Sequence, residues 1–200
     1  MFARSAIALL AALSVSGCVA SAVGADEAPR ETFVLNTPDA VDDLSPARGV
    51  QLLVAEPSAL EVLVSPRIVV RVGAREVQYL GNARLGDSLT RMTQIKLRRT
   101  LEGARGVGAV GLPGEGLAID FQVLTDIRAF EIVSGPAQTA RVALAVRLLD
   151  DRSGNVVAGR VFRASAPVGP TPDNDAYIAA LDAALDNALI DIRAWVAARV

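Results

Sequence analysis

The sequence predicts an α+β domain with a mostly antiparallel sheet, a C-terminal meander covered by two amphipathic helices at about 87–104 and 174–199. Three observations carry this. Period-two alternation of apolar residues runs through the third quarter of the chain, with short turns between the runs. Two stretches repeat apolar residues at helical spacing instead. The composition, 52% hydrophobic and 21% charged, supplies enough apolar surface for one sizeable core.

The first mature segments are weakly patterned. Thr32 to Leu35 reads as a short strand stopped by Asn36-Thr37-Pro38, and 39–49 reads as a loop with Pro46 inside it. Gln51 to Ala55, "QLLVA", is a buried strand ended by Pro57. Arg67 to Val72 and Glu76 to Leu80 are β-rich and separated by Gly73-Ala74-Arg75. Asp87 or Ser88 can cap the first helix, which sets Leu89, Thr93, Leu97, Thr100, Leu101 and Ala104 on one face. Arg91, Gln94, Arg98 and Glu102 then face elsewhere, and Lys96, beside Arg98 and Arg99, is expected on a solvated helix face.

Leu117 to Ile127 places Leu117, Ile119, Phe121, Val123 and Ile127 on one face, after which Phe130 and Ile132 reverse the parity. A β-bulge near Arg128-Ala129 accounts for one such reversal in a long strand. Ser134-Gly135-Pro136 turns the chain, and Ala140, Val142, Leu144, Val146 and Leu148 alternate inward along the next strand. Asp150 to Asn155 turns it again, and Val156 to Ala164 returns. In the last helix, capped by Asp173 or Asn174, Tyr177, Ile178, Leu181, Leu185, Ala188, Leu189, Ile192, Trp195 and Val196 form one stripe. Asp182, Asp186, Asn187 and Asp191 fall off that stripe or near its edge.

Catalytic equipment is sparse. The chain has no histidine, which removes the commonest general base and metal ligand. Gly106-Val107-Gly108-Ala109-Val110-Gly111 matches G-x-G-x-x-G, yet a helix precedes it where a dinucleotide site needs a strand. A helix C-cap followed by a short strand accounts for it. Asp150 to Asn155 lacks the carboxylate spacing of a calcium loop and reads as a hairpin turn, with Gly154 supplying positive φ. Asp120, Asp126 and Glu131 include outward-facing strand residues with no evident acid–base pairing. No catalytic, cofactor-binding or metal-ligating residue is assigned, and the chain is expected not to be an enzyme.

The single cysteine, Cys18, carries the one site assignment. Ahead of it, Met1 to Arg4 bears one positive charge and Ser5 to Val15 is an apolar run of about ten residues. A membrane-spanning helix needs roughly 20, so this run fits a signal-peptide core. Val15-Ser16-Gly17-Cys18 resembles a bacterial lipobox, in which the thiol is diacylglycerylated and the chain is cut between Gly17 and Cys18. Residues 1–17 are then a lipoprotein signal peptide, 18–31 a lipidated flexible tether, and 32–200 a single periplasm-facing domain. The mature chain would carry 19 basic against 22 acidic residues, net −3, since Arg4 is the one charge removed from the full-length −2. That balance does not fit a nucleic-acid binder. Membrane attachment would come from the acyl chains. Val19, which replaces the aspartate that retains many lipoproteins at the inner membrane, points to the outer membrane of a Gram-negative cell.

The order of segments resembles the ABC-type transport auxiliary lipoprotein component family, whose members include paraquat-inducible protein C-like lipoproteins. The resemblance runs from the lipobox through "ETFVL" (Glu31 to Leu35), "RIVVRVGAREVQYL" (Arg67 to Leu80) and "RLGDSLTRMTQIKLRRTLE" (Arg84 to Glu102). It continues through "DFQVLTDIRAFEIV" (Asp120 to Val133), "VALAVRLLDDRSGNVVAGRVFRASAPV" (Val142 to Val168) and "AYIAALDAALDNALIDIRAW" (Ala176 to Trp195). Leu85 departs from it, standing where a tryptophan is expected before the helix. The resemblance implies a non-catalytic accessory of a lipid or lipophile transporter. Its implied partners are a mammalian-cell-entry domain protein and the ABC permease and ATPase of the same system. It transfers no catalytic residue, implies no cofactor and leaves homo-oligomerisation open. A general envelope-assembly or peptidoglycan-associated lipoprotein is the alternative that fits the tether and domain equally well.

Overall fold

A computed structural model describes residues 30–36, 49–170 and 172–200. Cys18, the expected signal peptide and nearly all of the expected tether lie outside the described residues. Glu31–Val200 forms one compact unit with a continuous apolar core.

The organising element is β8 (Phe121–Val133), thirteen residues long. Along one edge it pairs antiparallel with β9 (Thr139–Asp150), which pairs antiparallel with β10 (Val156–Pro167). This is the expected meander. Along its other edge three short strands lie end to end, all parallel to it. β2 (Val50–Val54) pairs with Phe121–Val123, β3 (Ser58–Ala59) with Asp126 and Ile127, and β4 (Val69–Arg71) with Glu131–Val133. β7 (Val107–Gly111) joins β2 in parallel, and β5 (Val77–Tyr79) joins β4 antiparallel.

The sheet is therefore mixed, which corrects the expectation of a mostly antiparallel one. Strand direction is set by the connection, and the helical crossovers around α1 (Glu61–Val64) and α2 (Leu89–Glu102) return the chain in parallel. A separate parallel pair, β1 (Glu31–Phe33) with β6 (Ala83–Leu85), completes the strands described here. Leu85, where the resemblance led us to expect tryptophan, is 4% exposed in the core.

The parity reversal in β8 is a bulge. Its register with β9 shifts between Ile127 and Ala129, so Val123, Thr125 and Ile127 and then Phe130 and Ile132 all reach the buried face. Leu117 is not part of this strand. It is exposed in the loop before Phe121, because Gly114 and Gly116 hold positive φ and break the alternation there.

Two long helices cover the sheet. Ser88 caps α2 by accepting the Arg91 N–H at 3.2 Å, and Asp173 caps α3 (Asn174–Ala197) by accepting the Ala176 N–H at 2.8 Å. Leu181, Leu185, Leu189 and Ile192 of α3 are at most 1% exposed, each contributing roughly 1.5–3 kcal/mol by burial. Trp195 meets Phe162 of β10 edge-on, with centroids 5.6 Å apart.

Three polar residues contradict the sequence reading. Lys96, expected in solvent, is 1% exposed, Gln94 is buried, and Asp182 is buried inside the α3 stripe. The Gln94 side-chain amide donates to the Val54 carbonyl at 3.0 Å, which holds α2 on the end of β2. Helical position, not residue polarity, placed these side chains. Lys96 lies seven residues, nearly two turns, after Leu89, and Asp182 lies seven before Leu189.

Candidate functional site

Cys18, the assigned lipid-attachment residue, lies outside the described residues. The described part offers two ionic clusters and, among its open basins, one on the outward face of the sheet.

The first cluster joins α2 to α3. The Lys96 ammonium donates to an Asp182 carboxylate oxygen and lies 2.8 Å from Asp186. The other Asp182 oxygen accepts the Asn36 backbone N–H at 2.9 Å. One carboxylate thus ties together both long helices and the segment that follows β1. Every polar atom of Asp182 has a partner, as a charge this deeply buried requires. With the ammonium held between two carboxylates, the arrangement is suited to fastening and not to attack on a substrate.

The second cluster stands on the opposite face of the sheet. Glu131, at the β4–β8–β9 junction, accepts from Arg71 Nε at 2.8 Å and from Arg141 Nε at 2.9 Å. Burial pushes its carboxyl up, but hydrogen bonds from Arg71 and Arg141, then their charges, outweigh it and hold the group below the ordinary glutamate value. The same hydrogen bond raises Arg71.

The basin lies further along this face, where β8, β9 and β10 run side by side. It is open, about 610 Å³, and lined by Ser58, Asp126, Arg128, Arg147, Gly159 and Val161 among others. Arg128 Nε donates to Asp126 at 3.1 Å, and the Ser58 hydroxyl donates to the same carboxylate at 3.4 Å. Nothing in the sequence alone shows this grouping. The outward parity of Asp126 and Arg147 was visible, but the β8–β9–β10 register that sets them side by side was not.

Neither Asp120 nor Asp126 forms an acid–base pair with Glu131. Asp120 accepts the Gln51 backbone N–H at 2.8 Å and so closes the start of β8 against β2. In the Asp150–Asn155 hairpin, the Ser153 backbone N–H donates to Asp150 at 2.7 Å and lowers its carboxyl, while Gly154 takes φ 70°. Gly103 caps the end of α2 and Val107 opens β7, so the glycine motif that begins at Gly106 sits at a helix-to-strand junction. Among the described residues, no group of three or more His, Cys, Asp or Glu could hold a metal ion, and no helix is long and apolar enough to cross a membrane.

Comparison with known proteins agrees with this architecture. A crystal structure of a Xanthomonas campestris protein is 27% identical, with a TM-score of 0.74, over 84% of this chain and 95% of that one. A second solved structure, of an uncharacterised protein, shares the fold at 12% identity and a TM-score of 0.64, over 83% of this chain and 99% of that one. An uncharacterised protein of Bradyrhizobium diazoefficiens is 24% identical over 172 residues, which is 86% of this chain. The chain spans about half, 46%, of that relative's length. The family model for the ABC-type transport auxiliary lipoprotein component matches residues 33–192, from the end of β1 nearly to the end of α3. The chain belongs to the ABC-type transport auxiliary lipoprotein component family.

Proposed function

We propose that this chain is the lipid-anchored, non-catalytic accessory of an ABC transport system of the mammalian-cell-entry type, moving lipids or lipophiles across the periplasm. The observation that carries the reading is the family match, which spans both long helices and the whole meander. In this reading Cys18 is diacylglycerylated and the chain is cut between Gly17 and Cys18, residues 18–31 tether the domain, and Val19 directs the protein to the outer membrane. The domain acts by docking. The ionic clusters support that, since both spend their charges on internal pairs and leave the fold rigid.

Gentle cross-linking of the membrane-extracted wild-type protein tests it. A mammalian-cell-entry protein or the permease subunits should be recovered with the chain. Recovery of neither, together with retention on purified sacculi, would replace this reading with that of a peptidoglycan-associated lipoprotein.

A further inference from the structure

The outward face of β8–β9–β10 combines cations with apolar side chains in a way that neither the fold nor the anchor requires. Arg147 sits opposite Leu124 on one side and Gly159 on the other. Gly159 has no side chain, and a Cβ built there would touch the Arg147 stem at 3.6 Å. The arginine therefore extends across the glycine, along the floor of the basin. Arg128 stands on the neighbouring strand, with its Nε on Asp126. Arg160 lines the basin too, so three arginines against one aspartate leave it net positive, on a chain whose net charge is −2.

The surface changes character toward the β9–β10 hairpin. Val156 pairs with Leu149, and the register shift before Ala158 leaves Val157 as an extra residue. Val156 and Val157 are 49% and 53% exposed, among the more exposed large apolar side chains described. Charge at one end and apolar surface at the other match a ligand built the same way. A guanidinium offers parallel N–H donors that suit phosphate oxygens, and the valines with Leu124 and Leu149 suit a hydrocarbon chain.

We propose that this basin binds one anionic phospholipid, its phosphate on Arg147 and Arg128 and its acyl chain toward Val157. The inference rests on the proposed function in one respect, the choice of a membrane lipid among anionic amphiphiles. Seen this way, the accessory handles the transported class of molecule itself and does more than hold its partners.

The test uses the full chain carrying Cys18→Ser, so that no acyl anchor is attached. Dihexanoyl-phosphatidylglycerol, kept monomeric, is titrated in by calorimetry. Saturable binding is expected that weakens with salt, falls about tenfold or more in Arg147→Glu and several-fold in Val157→Asp, and is unchanged in Arg75→Glu on the distant β4–β5 turn. Inorganic phosphate should compete poorly. Equal binding by wild type and Arg147→Glu overturns the proposal. So does competition by phosphate as strong as by the lipid, which would mark a plain anion site. Cross-linking from position 147 to an acidic protein, with no response to lipid, overturns it as well. The docking reading is judged separately by the cross-linking of partners, so lipid binding without partner recovery would sink that reading and leave this one standing.

Discussion

The Lys96 ammonium on α2, 1% exposed, lies 2.8 Å from the Asp186 carboxylate on α3 while also bonding Asp182. Removing the cation while keeping Asp182 leaves a carboxylate that is 5% exposed, with only the Asn36 N–H to face it. Lys96→Ala should therefore destabilise the domain by about 3–5 kcal/mol. Lys96→Met with Asp182→Leu should recover most of that loss, because two apolar side chains of similar volume remove the unpaired charge along with its partner. Urea unfolding of Lys96→Met, Asp182→Leu and the double variant checks this. Additive losses in the double variant would show that the pair is not coupled.

A second expectation concerns acid. The folded state holds Glu131 below the ordinary glutamate value of 4.5, so it contributes stability that is fully present above that value. The contribution is lost as pH falls from there through the lower folded value. Glu131→Gln should cost about 1 kcal/mol at pH 7, a figure discounted for solvent screening at the part-exposed Arg71 and Arg141. The variant should also lose less further stability below pH 4.5 than the wild type does. Unfolding midpoints across pH 2.5 to 7 read both effects; parallel curves for the two proteins would contradict the assignment.

Gly49 packs where β2 begins beside β7. A Cβ there would stand 2.5 Å from the Gly106 carbonyl oxygen and 2.7 Å from the Gly108 nitrogen, both backbone atoms that cannot swing aside. Gly49→Ala should destabilise by about 1–3 kcal/mol, the usual cost of forcing extra atoms into packed structure. Gly135→Ala, with open space around the added methyl, should cost much less. Thermal melts of the pair compare them directly.

Cys18→Ser should leave the domain folded and remove it from membranes. A serine hydroxyl is a far weaker nucleophile than a thiol at neutral pH, so no diacylglyceryl group is added. Loss of the chains removes roughly 0.8 kcal/mol of membrane affinity per buried methylene. Mass spectrometry of the membrane fraction, alongside far-ultraviolet circular dichroism of the soluble variant, decides it. Normal fractionation of the serine variant would remove the anchor from the picture.

Much of the fold was legible in the sequence because one residue's chemistry fixed each feature. Ser88 and Asp173 announce helix starts, Gly154 a hairpin, and the Ile127-to-Phe130 parity change a bulge. Ser58–Ala59 and Glu61–Val64 are too short to show a period, so β3 and α1 were invisible. The parallel entry of β2, β3 and β4 was hidden for a different reason: alternation reports which face a residue occupies and carries no sign of strand direction. For Lys96 and Asp182, polarity and spacing point to opposite faces, and spacing prevails. Their seven-residue offsets from Leu89 and Leu189 were there to be read, and so was their pairing as opposite charges on two inward stripes. The basin on the sheet depends on cross-strand register, which no single strand reveals.

The position of β8 also governs the order of events when the chain is made. β2, β3 and β4 all precede it in sequence, yet each takes its place in the sheet only along an edge that β8 provides. When synthesis has reached residue 120, the chain can form the β4–β5 hairpin and, with α2 packed on it, the β2–β7 pair, but the strand that joins the two is missing. Val54, Ile68 and Val69, each at most 2% exposed in the finished domain, then wait uncovered. Such long-range closure is slow, and exposed strand edges in the interval invite aggregation. A nascent chain of this kind passes through its most vulnerable stage midway through synthesis and escapes it only when β8 and the meander behind it arrive.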